Sequence, residues 1–433
     1  MKIGIISLGC CKNLVDTENL IGMLQQSNQE ITYNLNEADA IIVNTCGFID
    51  PAKEEGINTI LEMAEYKEKN CKKLIVMGCL AERYLDQLAE ELPEVDCFIT
   101  LKQYNQFGPI LTEVLGEKIA NDYGKCPQVL TGKPWMAYLK IADGCDNRCS
   151  YCAIPLIRGG YRSFDIDALV DQAKELAKRG VKELNLIAQD TTRYGLDNYG
   201  KRRLLELLGR CNEIEGLHWI RVLYMYPDEI DDELIEGMAK LDKVLPYFDI
   251  PVQHGSDRML QIMNRRGSVE SIIRLVDKIR ETYPTPALRT TMIVGFPTET
   301  LEDVQLNLEF MKRVKWDRLG GFTYSKEEDT PSYDLLDELS QEEKNRRYEE
   351  MMKLQEEIVE AKNQELIGKT LEVLVEKQDG LTGFYRGRSV FSAPDGIDGE
   401  VIFKSEEPIE FGSFVPVTIT RIKAHDFYGN RVN

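Results

Sequence analysis

Three cysteines in one short segment are the side chains of this sequence most suited to chemistry. Cys145, Cys149 and Cys152, called here the barrel triad, have the spacing Cys-x3-Cys-x2-Cys. Thiolates this close together can bind one iron–sulfur cluster, and three ligands leave one iron of a four-iron cluster open. A zinc knuckle or a chance group of buried thiols is the alternative, but zinc favours a fourth Cys or His nearby, and the first histidine is His218. The spacing therefore favours an iron–sulfur cluster.

A second set of three cysteines, the N-terminal triad, is dispersed along the sequence. Cys10, Cys46 and Cys79 each follow a predicted strand, and each has a glycine beside it. The carboxyl ends of parallel strands share one edge of an open sheet, and ligands bind at that edge. Taken singly, such a cysteine is most often a small buried hydrophobic residue. The repeated position at a strand end instead favours a shared metal site, with glycines that let the backbone approach a bulky ligand.

The other cysteines show no such pattern; they are Cys11, Cys71, Cys97, Cys126 and Cys211. The total of 11 is odd, and the chain begins without the basic and apolar segments of a signal peptide. We therefore expect a cytoplasmic protein with reduced thiols rather than a disulfide framework. No apolar stretch of about 18 residues or more indicates a membrane span.

Strands and helices alternate in the region that would position the N-terminal triad. Strands are predicted at 3–8, 40–44, 74–77 and 95–100, and helices begin near Asn13, Ala52 and Ala81. This alternation is typical of an open parallel sheet with right-handed crossovers. We assign it to an N-terminal α/β domain at residues 1–118.

A second alternation begins after a linker that ends near Thr131. Its strands are predicted at 136–142, 183–188, 219–223, 247–252, 288–294 and 318–324, with helices at 166–179, 231–239, 271–282 and 301–314. These six units predict an incomplete TIM-like (β/α)6 barrel at residues 131–361. Its active site would lie at the carboxyl ends of the strands, and the barrel triad follows the first of them.

The last part of the chain changes character. A charged helix is predicted at 340–366, and short apolar runs follow at 371–375, 389–392, 400–403 and 414–421. Turn residues such as Asp379-Gly380 separate the runs. The pattern predicts a connecting helix packed on the barrel and a small antiparallel β-barrel at residues 364–433.

The barrel triad and its surroundings resemble a known family. With Tyr151 before its last cysteine, the loop resembles the radical S-adenosylmethionine (SAM) enzymes, and segment 153–159 (AIPLIRG) narrows the resemblance to the methylthiotransferases. Their layout of N-terminal cluster domain, radical SAM barrel and C-terminal TRAM module covers essentially the whole chain. The segments most similar to the branch that methylthiolates an aspartate of the twelfth small-subunit ribosomal protein are 7–16 (SLGCCKNLVD), 44–49 (NTCGFI) and 393–399 (APDGIDG). Cys11 departs from this family, which is expected to carry proline there.

The resemblance implies radical insertion of sulfur at an unactivated C–H bond. A [4Fe–4S] cluster on the barrel triad would bind SAM and yield a 5′-deoxyadenosyl radical, which would abstract hydrogen from the β-carbon of the aspartate. A second [4Fe–4S] cluster on the N-terminal triad would present the sulfur, and a second SAM would supply the methyl group. The resemblance further implies an electron donor such as flavodoxin or ferredoxin, and a sulfur source.

Polar and aromatic residues near the strand ends and the cysteine loop are candidates for the SAM or substrate pocket. They are Tyr151, Arg158, Gln189, Gln253, Ser256 and Arg289. The amide and hydroxyl groups could hydrogen-bond SAM, and the arginines could pair with a carboxylate. An ordinary structural role stays open for each, because strand ends need turn residues and arginines usually lie on solvated faces. His254 is either a proton donor or a hydrogen-bonded structural histidine.

The charge of the chain bears on its substrate. Acidic residues outnumber basic ones by 73 to 53, which gives a formal net charge of −20. Residues 364–433 carry 11 Asp and Glu against 8 Lys and Arg, a net charge of −3. A module that grips tRNA should be basic. The acidic tail therefore favours a basic ribosomal protein, free or within the ribosomal subunit, over tRNA.

Two other functions stay open from the sequence. The chain could be a tRNA adenosine methylthiotransferase, which a methylthio product on tRNA would indicate. It could also be a non-catalytic iron–sulfur protein of ribosome assembly, which failure to cleave SAM despite intact clusters would indicate.

Overall fold

The computed structural model describes residues 1–121 and 123–432. The N-terminal domain is a five-stranded parallel sheet with strand order β2-β1-β3-β4-β5. Its strands are β1 (Lys2–Ser7), β2 (Glu30–Thr32), β3 (Ala40–Thr45), β4 (Lys73–Gly78) and β5 (Cys97–Ile99). Its helices are α1 (Cys11–Gln26), α2 (Asp50–Ala64), α3 (Cys79–Glu91) and α4 (Phe107–Leu115). The predicted open parallel sheet is confirmed, with β2 as an additional short edge strand.

Apolar side chains cover both faces of this sheet. Helices α1 and α4 bury theirs on one face, and α2 and α3 bury theirs on the other. The central strand β3 is wholly buried, as expected of a parallel strand between two helical layers. The register pairs Ser7 with Asn44 and Thr45 with Gly78. The carboxyl ends of β1, β3 and β4 are therefore aligned at one edge.

The central domain is an incomplete barrel. Its strands are β6 (Met136–Lys140), β7 (Ala142–Asp143), β8 (Arg162–Ser163), β9 (Glu183–Ile187), β10 (Trp219–Val222), β11 (Tyr247–Asp249), β12 (Ala287–Val294) and β13 (Arg318–Thr323). Its helices are α5 (Ile154–Arg158), α6 (Ile166–Lys178), α7 (Leu196–Tyr199), α8 (Leu204–Asn212), α9 (Asp232–Met238), α10 (Asp257–Ile262), α11 (Val269–Thr282) and α12 (Leu301–Val314). Parallel sheets of order β10-β9-β6 and β11-β12-β13 approach each other through a bridge between Ile220 and Val244. The short strands β7 and β8 pair antiparallel and flank the cysteine loop.

The C-terminal domain is a closed barrel of five strands, in the order β14-β15-β16-β18-β17. The strands are β14 (Thr370–Gln378), β15 (Tyr385–Arg388), β16 (Val401–Lys404), β17 (Phe414–Lys423) and β18 (Asp426–Arg431). The predicted strand at 389–392 is wrong. Those residues form a buried turn in which the Ser392 amide donates to the Ser389 carbonyl at 3.1 Å. The strand lies just before them, because Tyr385 to Arg388 pair with β14.

The long helix α13 (Gln341–Gln364) connects the two barrels. It buries Met351 and Ile358 against the central domain, and Gln355 donates to the Trp316 carbonyl at 3.0 Å. The predicted connecting helix packed on the barrel is therefore confirmed.

The C-terminal barrel covers the amino ends of the central strands. Trp219, the first residue of β10, donates to Glu372 at 2.8 Å and packs edge-on against Phe414. Arg388 pairs with Glu183, the first residue of β9. The C-terminal barrel therefore leaves the carboxyl ends of the strands uncovered. The active site is predicted there, on the side of the N-terminal domain. In the part of the chain described, no helix is long and apolar enough to cross a membrane.

Candidate active site

The aligned strand ends bring the N-terminal triad together at one edge of the sheet. A Cβ at Gly9, which has φ +85°, would lie 2.7 Å from the Cys46 Cβ. A Cβ at Gly78, which has φ +100°, would lie 2.5 Å from the Thr45 carbonyl oxygen. Both positions therefore need glycine for conformation and for space. The glycines serve the close approach of neighbouring strand ends, and not only the approach of a ligand.

Asn13 in the first turn of α1 links these strand ends. Its amide donates to the Leu8 carbonyl at 3.1 Å and to the Thr45 carbonyl at 3.0 Å. Its Oδ1 accepts from the Cys79 thiol at 3.5 Å. Asn13 is fully buried, so these contacts fix the positions of the strand ends. From the sequence, Asn13 is predicted only as the start of a helix.

The thiols of the N-terminal triad lie in a desolvated setting. Burial raises the pKa of Cys46, and it raises the pKa of Cys79 to about 12. Arg158 lowers the Cys79 pKa, whereas Cys10 and Cys46 as thiolates raise it. The three thiols therefore lie within electrostatic range of one another. Because iron is ligated by thiolate, binding a cluster here requires loss of protons.

The barrel triad lies in a loop that β7 and β8 hold closed. The Cys145 amide donates to the Gly159 carbonyl at 3.1 Å, and the Cys152 amide donates to the Cys149 carbonyl at 3.0 Å. Burial raises the pKa of Cys145 to about 11 and raises that of Cys152 as well, and Cys149 as a thiolate raises both. All three cysteines are free thiols. The loop thus gathers three sulfur donors after the first barrel strand.

A buried arginine lies beside one thiol of each triad. The Arg265 guanidinium donates to Cys149 Sγ at 3.6 Å and lies over the Tyr226 ring at 4.0 Å. Arg158 donates to Cys79 Sγ at 3.7 Å. A nearby cation favours the thiolate form that ligates metal. Arg265 is not predictable from the sequence, because it is distant in sequence from the cysteines and belongs to no spacing pattern.

Arg158 also joins the two domains that carry the triads. It donates to Asp16 of α1 at 3.0 Å and to Asp143, two residues before Cys145, at 3.0 Å. Lys140 pairs with the same two carboxylates. Burial alone would raise the pKa of Asp143, but Lys140 and Arg158 together lower it. Both carboxylates are thus paired, and they tie the cysteine loop to α1.

The other predicted pocket residues differ in the partners that their side chains find within the protein. Ser256 donates to Asp303 at 2.7 Å and caps α10. Arg289 is 3.6 Å from Asp395 of the C-terminal domain. Tyr151 packs edge-on against Phe296. Their roles toward SAM or substrate stay predictions.

His254 is held by the protein on both ring nitrogens. Its Nε2 lies 2.9 Å from Glu299 Oε1, and its Nδ1 accepts from the Ser256 amide at 3.0 Å. The ring is fully buried. Of the two roles open from the sequence, these contacts favour the structural one.

Unpartnered polar atoms mark the carboxyl end of the barrel. Gln189 Oε1 and Tyr226 Oη are buried, and each is without a hydrogen-bond partner among the described residues. Buried polar atoms are normally paired, so both are suited to a polar ligand. SAM offers amino, carboxylate and hydroxyl groups for them. The residues present therefore fit SAM.

The two triads also fit iron–sulfur clusters. Each supplies three sulfur donors and no imidazole or carboxylate within its set, which is the donor chemistry that such clusters use. Within residues 1–121 and 123–432, no three His, Cys, Asp or Glu side chains converge as closely as one metal ion needs. A four-iron cluster binds its thiolates to separate irons, so it accommodates a wider spacing than a single ion does.

Backbone strain occurs where barrel strands end. Tyr224 and Gln253 have φ +59° and +76°. Non-glycine residues rarely adopt this conformation, and it is enriched at functional sites. The Tyr224 hydroxyl lies 3.5 Å from Cys11 Sγ, so the N-terminal domain reaches this strand end. The sequence places both residues at strand ends but does not reveal their strain.

Comparisons with known protein families divide the chain into three parts. The model of the uncharacterized protein family UPF0004 matches residues 2–100. The radical SAM superfamily matches residues 139–311, and the TRAM domain matches residues 367–432.

Curated relatives match over the full length of the chain. A protein of Acetivibrio thermocellus named ribosomal protein uS12 methylthiotransferase RimO is 47% identical over 449 aligned positions, covering 100% of this chain and 98% of the relative. A protein of the same name from Pelotomaculum thermopropionicum is 48% identical, with 100% of this chain and 99% of the relative covered. One from Clostridioides difficile is 44% identical, with 99% and 98% covered.

Solved structures support the fold. The radical SAM methyltransferase TsrM from Kitasatospora setae, with cobalamin and a [4Fe-4S] cluster bound, has a TM-score of 0.57 at 14% identity, covering 77% of each chain. The cobalamin-dependent radical SAM enzyme OxsB, with aqua-cobalamin and SAM bound, has a TM-score of 0.52 at 13% identity, covering 83% of this chain and 56% of that one. At these identities the likeness concerns the fold alone.

Proposed function

The chain belongs to the family of ribosomal protein uS12 methylthiotransferases named RimO, and we propose that it adds a methylthio group to the β-carbon of an aspartate of uS12. It is a sulfur-inserting radical SAM transferase. The proposal is carried by one observation, which is that two triads of free cysteines lie in two domains joined by Arg158.

The cofactors in this proposal are two [4Fe–4S] clusters and two equivalents of SAM. The barrel triad holds one cluster, and the N-terminal triad holds the other. When bound, the clusters and SAM supply the radical that removes hydrogen from carbon, the inserted sulfur and the methyl group. The donor set of each triad and the unpartnered atoms of Gln189 and Tyr226 support this assignment.

The residues of the chain position these groups and keep water away. Arg158 and Asp143 hold the cysteine loop against α1, so the two triads keep a fixed relation. The C-terminal barrel closes the amino end of the central strands. Substrate would therefore reach the site at the opposite end.

Two further reactants follow from the chemistry. Reductive cleavage of SAM consumes an electron, so we propose flavodoxin or ferredoxin as its donor. Each product gains a sulfur atom, so a sulfur source is needed in addition to SAM. The acidic tail, with a net charge of −3, supports a basic ribosomal protein as partner rather than tRNA.

The domain bounds proposed for this architecture are 1–118, 131–361 and 364–433. The gaps that they leave lie between α4 and β6 and within the last turn of α13. The family matches fall within these ranges, which supports the division.

The experiment that tests the function uses the full chain reconstituted anaerobically with iron and sulfide. It is incubated with SAM, reductant and a sulfur source, together with either uS12 or tRNA. We expect a methylthio group on an aspartate of uS12 and none on tRNA. A methylthio adenosine in tRNA with unmodified uS12 would contradict the proposal, as would absence of SAM cleavage in a chain with intact clusters.

A further inference from the structure

Lys12 is a buried lysine whose ammonium forms no ion pair with the residues described. Its residue is 6% exposed, and its Nζ lies 3.0 Å from the centroid of the Tyr224 ring. Among residues 1–121 and 123–432, no hydrogen bond or ion pair of this ammonium is found. Lysine is almost never buried to this extent unless it is paired. The ammonium is therefore available to a negatively charged partner.

Two other buried cations, both near the triads, are satisfied by carboxylates. Arg158 and Lys140 both pair with Asp16 and Asp143. The nearby carboxylate of Asp249 is engaged elsewhere, because it accepts from the Tyr224 amide at 3.0 Å. Burial raises the pKa of Asp249, whereas Arg289 and, at longer range, Lys12 lower it. Asp249 is not within ion-pair distance of Lys12.

The position of Lys12 between the two domains is a second observation that bears on its role. It lies two residues after Cys10, and the tyrosine beneath it follows barrel strand β10. Tyr224 has a strained backbone and contacts Cys11, so the ring is held in place from both domains. The Lys12 ammonium thus lies where the N-terminal triad meets the carboxyl end of the barrel.

The contact with the ring suits an ammonium that must bind a ligand. A cation–π interaction is electrostatic and directed at the ring face. It leaves N–H donors of the ammonium for hydrogen bonds to another group. An ion pair with a protein carboxylate would instead neutralise the charge. Tyr224 therefore holds the ammonium in place and preserves its charge for an anion.

We propose that Lys12 binds the side-chain carboxylate of the uS12 aspartate that is modified. The inference rests on the proposed function and deepens it, because it names the residue that recognises the substrate group. A carboxylate entering this buried region exchanges its hydration for a charged hydrogen bond. That contact holds the adjacent β-carbon at a fixed place between the two triads. It also discriminates against a neutral group such as a nucleobase.

The test combines a change in the enzyme with a change in the substrate. The reconstituted full chain is compared with Lys12→Met and Lys12→Arg, each checked for iron content. The probe is uS12, either unchanged or with the modified aspartate replaced by asparagine, and its affinity is measured by fluorescence anisotropy without SAM. Lys69→Met is the control, because Lys69 also lies over a tyrosine ring, at 4.4 Å, but is exposed and far from the barrel.

We expect the unchanged enzyme to bind the aspartate form about 10- to 100-fold more tightly than the asparagine form, as for a hydrogen bond between charged groups. Lys12→Met should reduce this preference to less than about twofold, whereas Lys12→Arg keeps part of it and Lys69→Met keeps all of it. A Lys12→Met variant with low iron would be replaced by Lys12→Gln, judged by the same ratio.

An aspartate preference that persists undiminished in Lys12→Met, or one that is absent from the unchanged enzyme, would overturn the inference. Failure of the proposed function is a separate result, because it is the absence of methylthio-aspartate when the unchanged enzyme is supplied with SAM. An enzyme that makes this product while its Lys12→Met variant still prefers aspartate disproves the role of Lys12 alone.

Discussion

Each cysteine triad lies in a different structural environment, so substitutions in the two triads should have different effects. The barrel triad lies in one loop beside Arg265, and the N-terminal triad lies at three strand ends beside Arg158. Loss of one set leaves the contacts of the other in place. Substitutions should therefore remove one cluster at a time.

We predict that alanine at all three positions of the barrel triad lowers the iron content from about eight to about four per chain and abolishes SAM cleavage. The same change of the N-terminal triad should also leave about four irons, but should retain SAM cleavage and abolish methylthiolation of uS12. Iron analysis and chromatography of 5′-deoxyadenosine measure both. Cys97→Ala is the control, since Cys97 lies on an edge strand outside both sets. Full activity with half the iron would refute the assigned roles.

Gly78 gives a second test at the level of a residue. An added Cβ would collide with the Thr45 carbonyl, and φ +100° is unfavourable for alanine. We expect Gly78→Ala to displace Cys79 and to lower iron toward about four per chain, with SAM cleavage retained. Gly380→Ala is the matched control, because a Cβ there meets nothing within 4 Å. Equal iron in the two variants would show that the strand end does not depend on this glycine.

At the level of single residues, the sequence predicts only those sites whose residues are closely spaced or occupy equivalent positions along the chain. The spacing of the barrel triad and the repeated strand-end position of the N-terminal triad are visible as patterns. The contacts of Arg265, of Asn13 and of Lys12 with Tyr224 are not, because each joins residues that are distant in sequence or belong to no spacing pattern. Arg158 was predicted as a pocket residue, but its contact with Asp143 follows only from the folding of the cysteine loop, and its contact with Asp16 only from the docking of α1.

At the level of elements, the C-terminal barrel is attached to the central one by a buried charge cluster. Arg388 is 1% exposed and pairs with Glu183 of β9 and Glu376 of β14. Removing it would leave each buried carboxylate with one cation, Arg221 beside Glu183 and Lys133 beside Glu376. A single broken pair of this kind typically costs about 3–5 kcal/mol.

We therefore predict that Arg388→Met lowers the free energy of unfolding by about 3–5 kcal/mol and loosens the C-terminal barrel. Urea titration followed by tryptophan fluorescence measures it, because Trp219 lies at this interface. Arg431→Met is the control, since its partner Glu407 is largely exposed and such a pair contributes about 0–1 kcal/mol. Similar losses in both variants would argue against the cluster as the attachment.

Helices and strands with a clear hydrophobic period were predicted correctly, whereas short polar strands were not. The N-terminal sheet, the six main barrel strands and the connecting helix follow from apolar runs and helical periodicity. Strand β18 has the sequence DFYGNR, which contains few apolar residues. The error at 389–392 has a related cause, because its apolar residues fill the interior from a turn.

At the level of the whole molecule, the net charge of −20 sets the kind of partner that approaches. We predict that the affinity for uS12, a basic ribosomal protein, weakens as salt is raised, since salt screens attraction between opposite charges. Binding of tRNA should be undetectable under the same conditions. Anisotropy titrations over a series of salt concentrations measure both, with a basic protein unrelated to the ribosome as control. Affinity for uS12 that is independent of salt would contradict an electrostatic contribution.

In the proposed reaction, this chain removes hydrogen from the β-carbon of a uS12 aspartate and places sulfur there. Deuterium placed at that β-carbon tests it directly. The reconstituted enzyme is incubated with labelled uS12, SAM, reductant and a sulfur source, and the 5′-deoxyadenosine is examined by mass spectrometry. We expect deuterium in 5′-deoxyadenosine together with methylthio-aspartate in uS12. Methylthio-aspartate formed while 5′-deoxyadenosine stays unlabelled, or labelled uS12 that stays unmodified while SAM is cleaved, would contradict it.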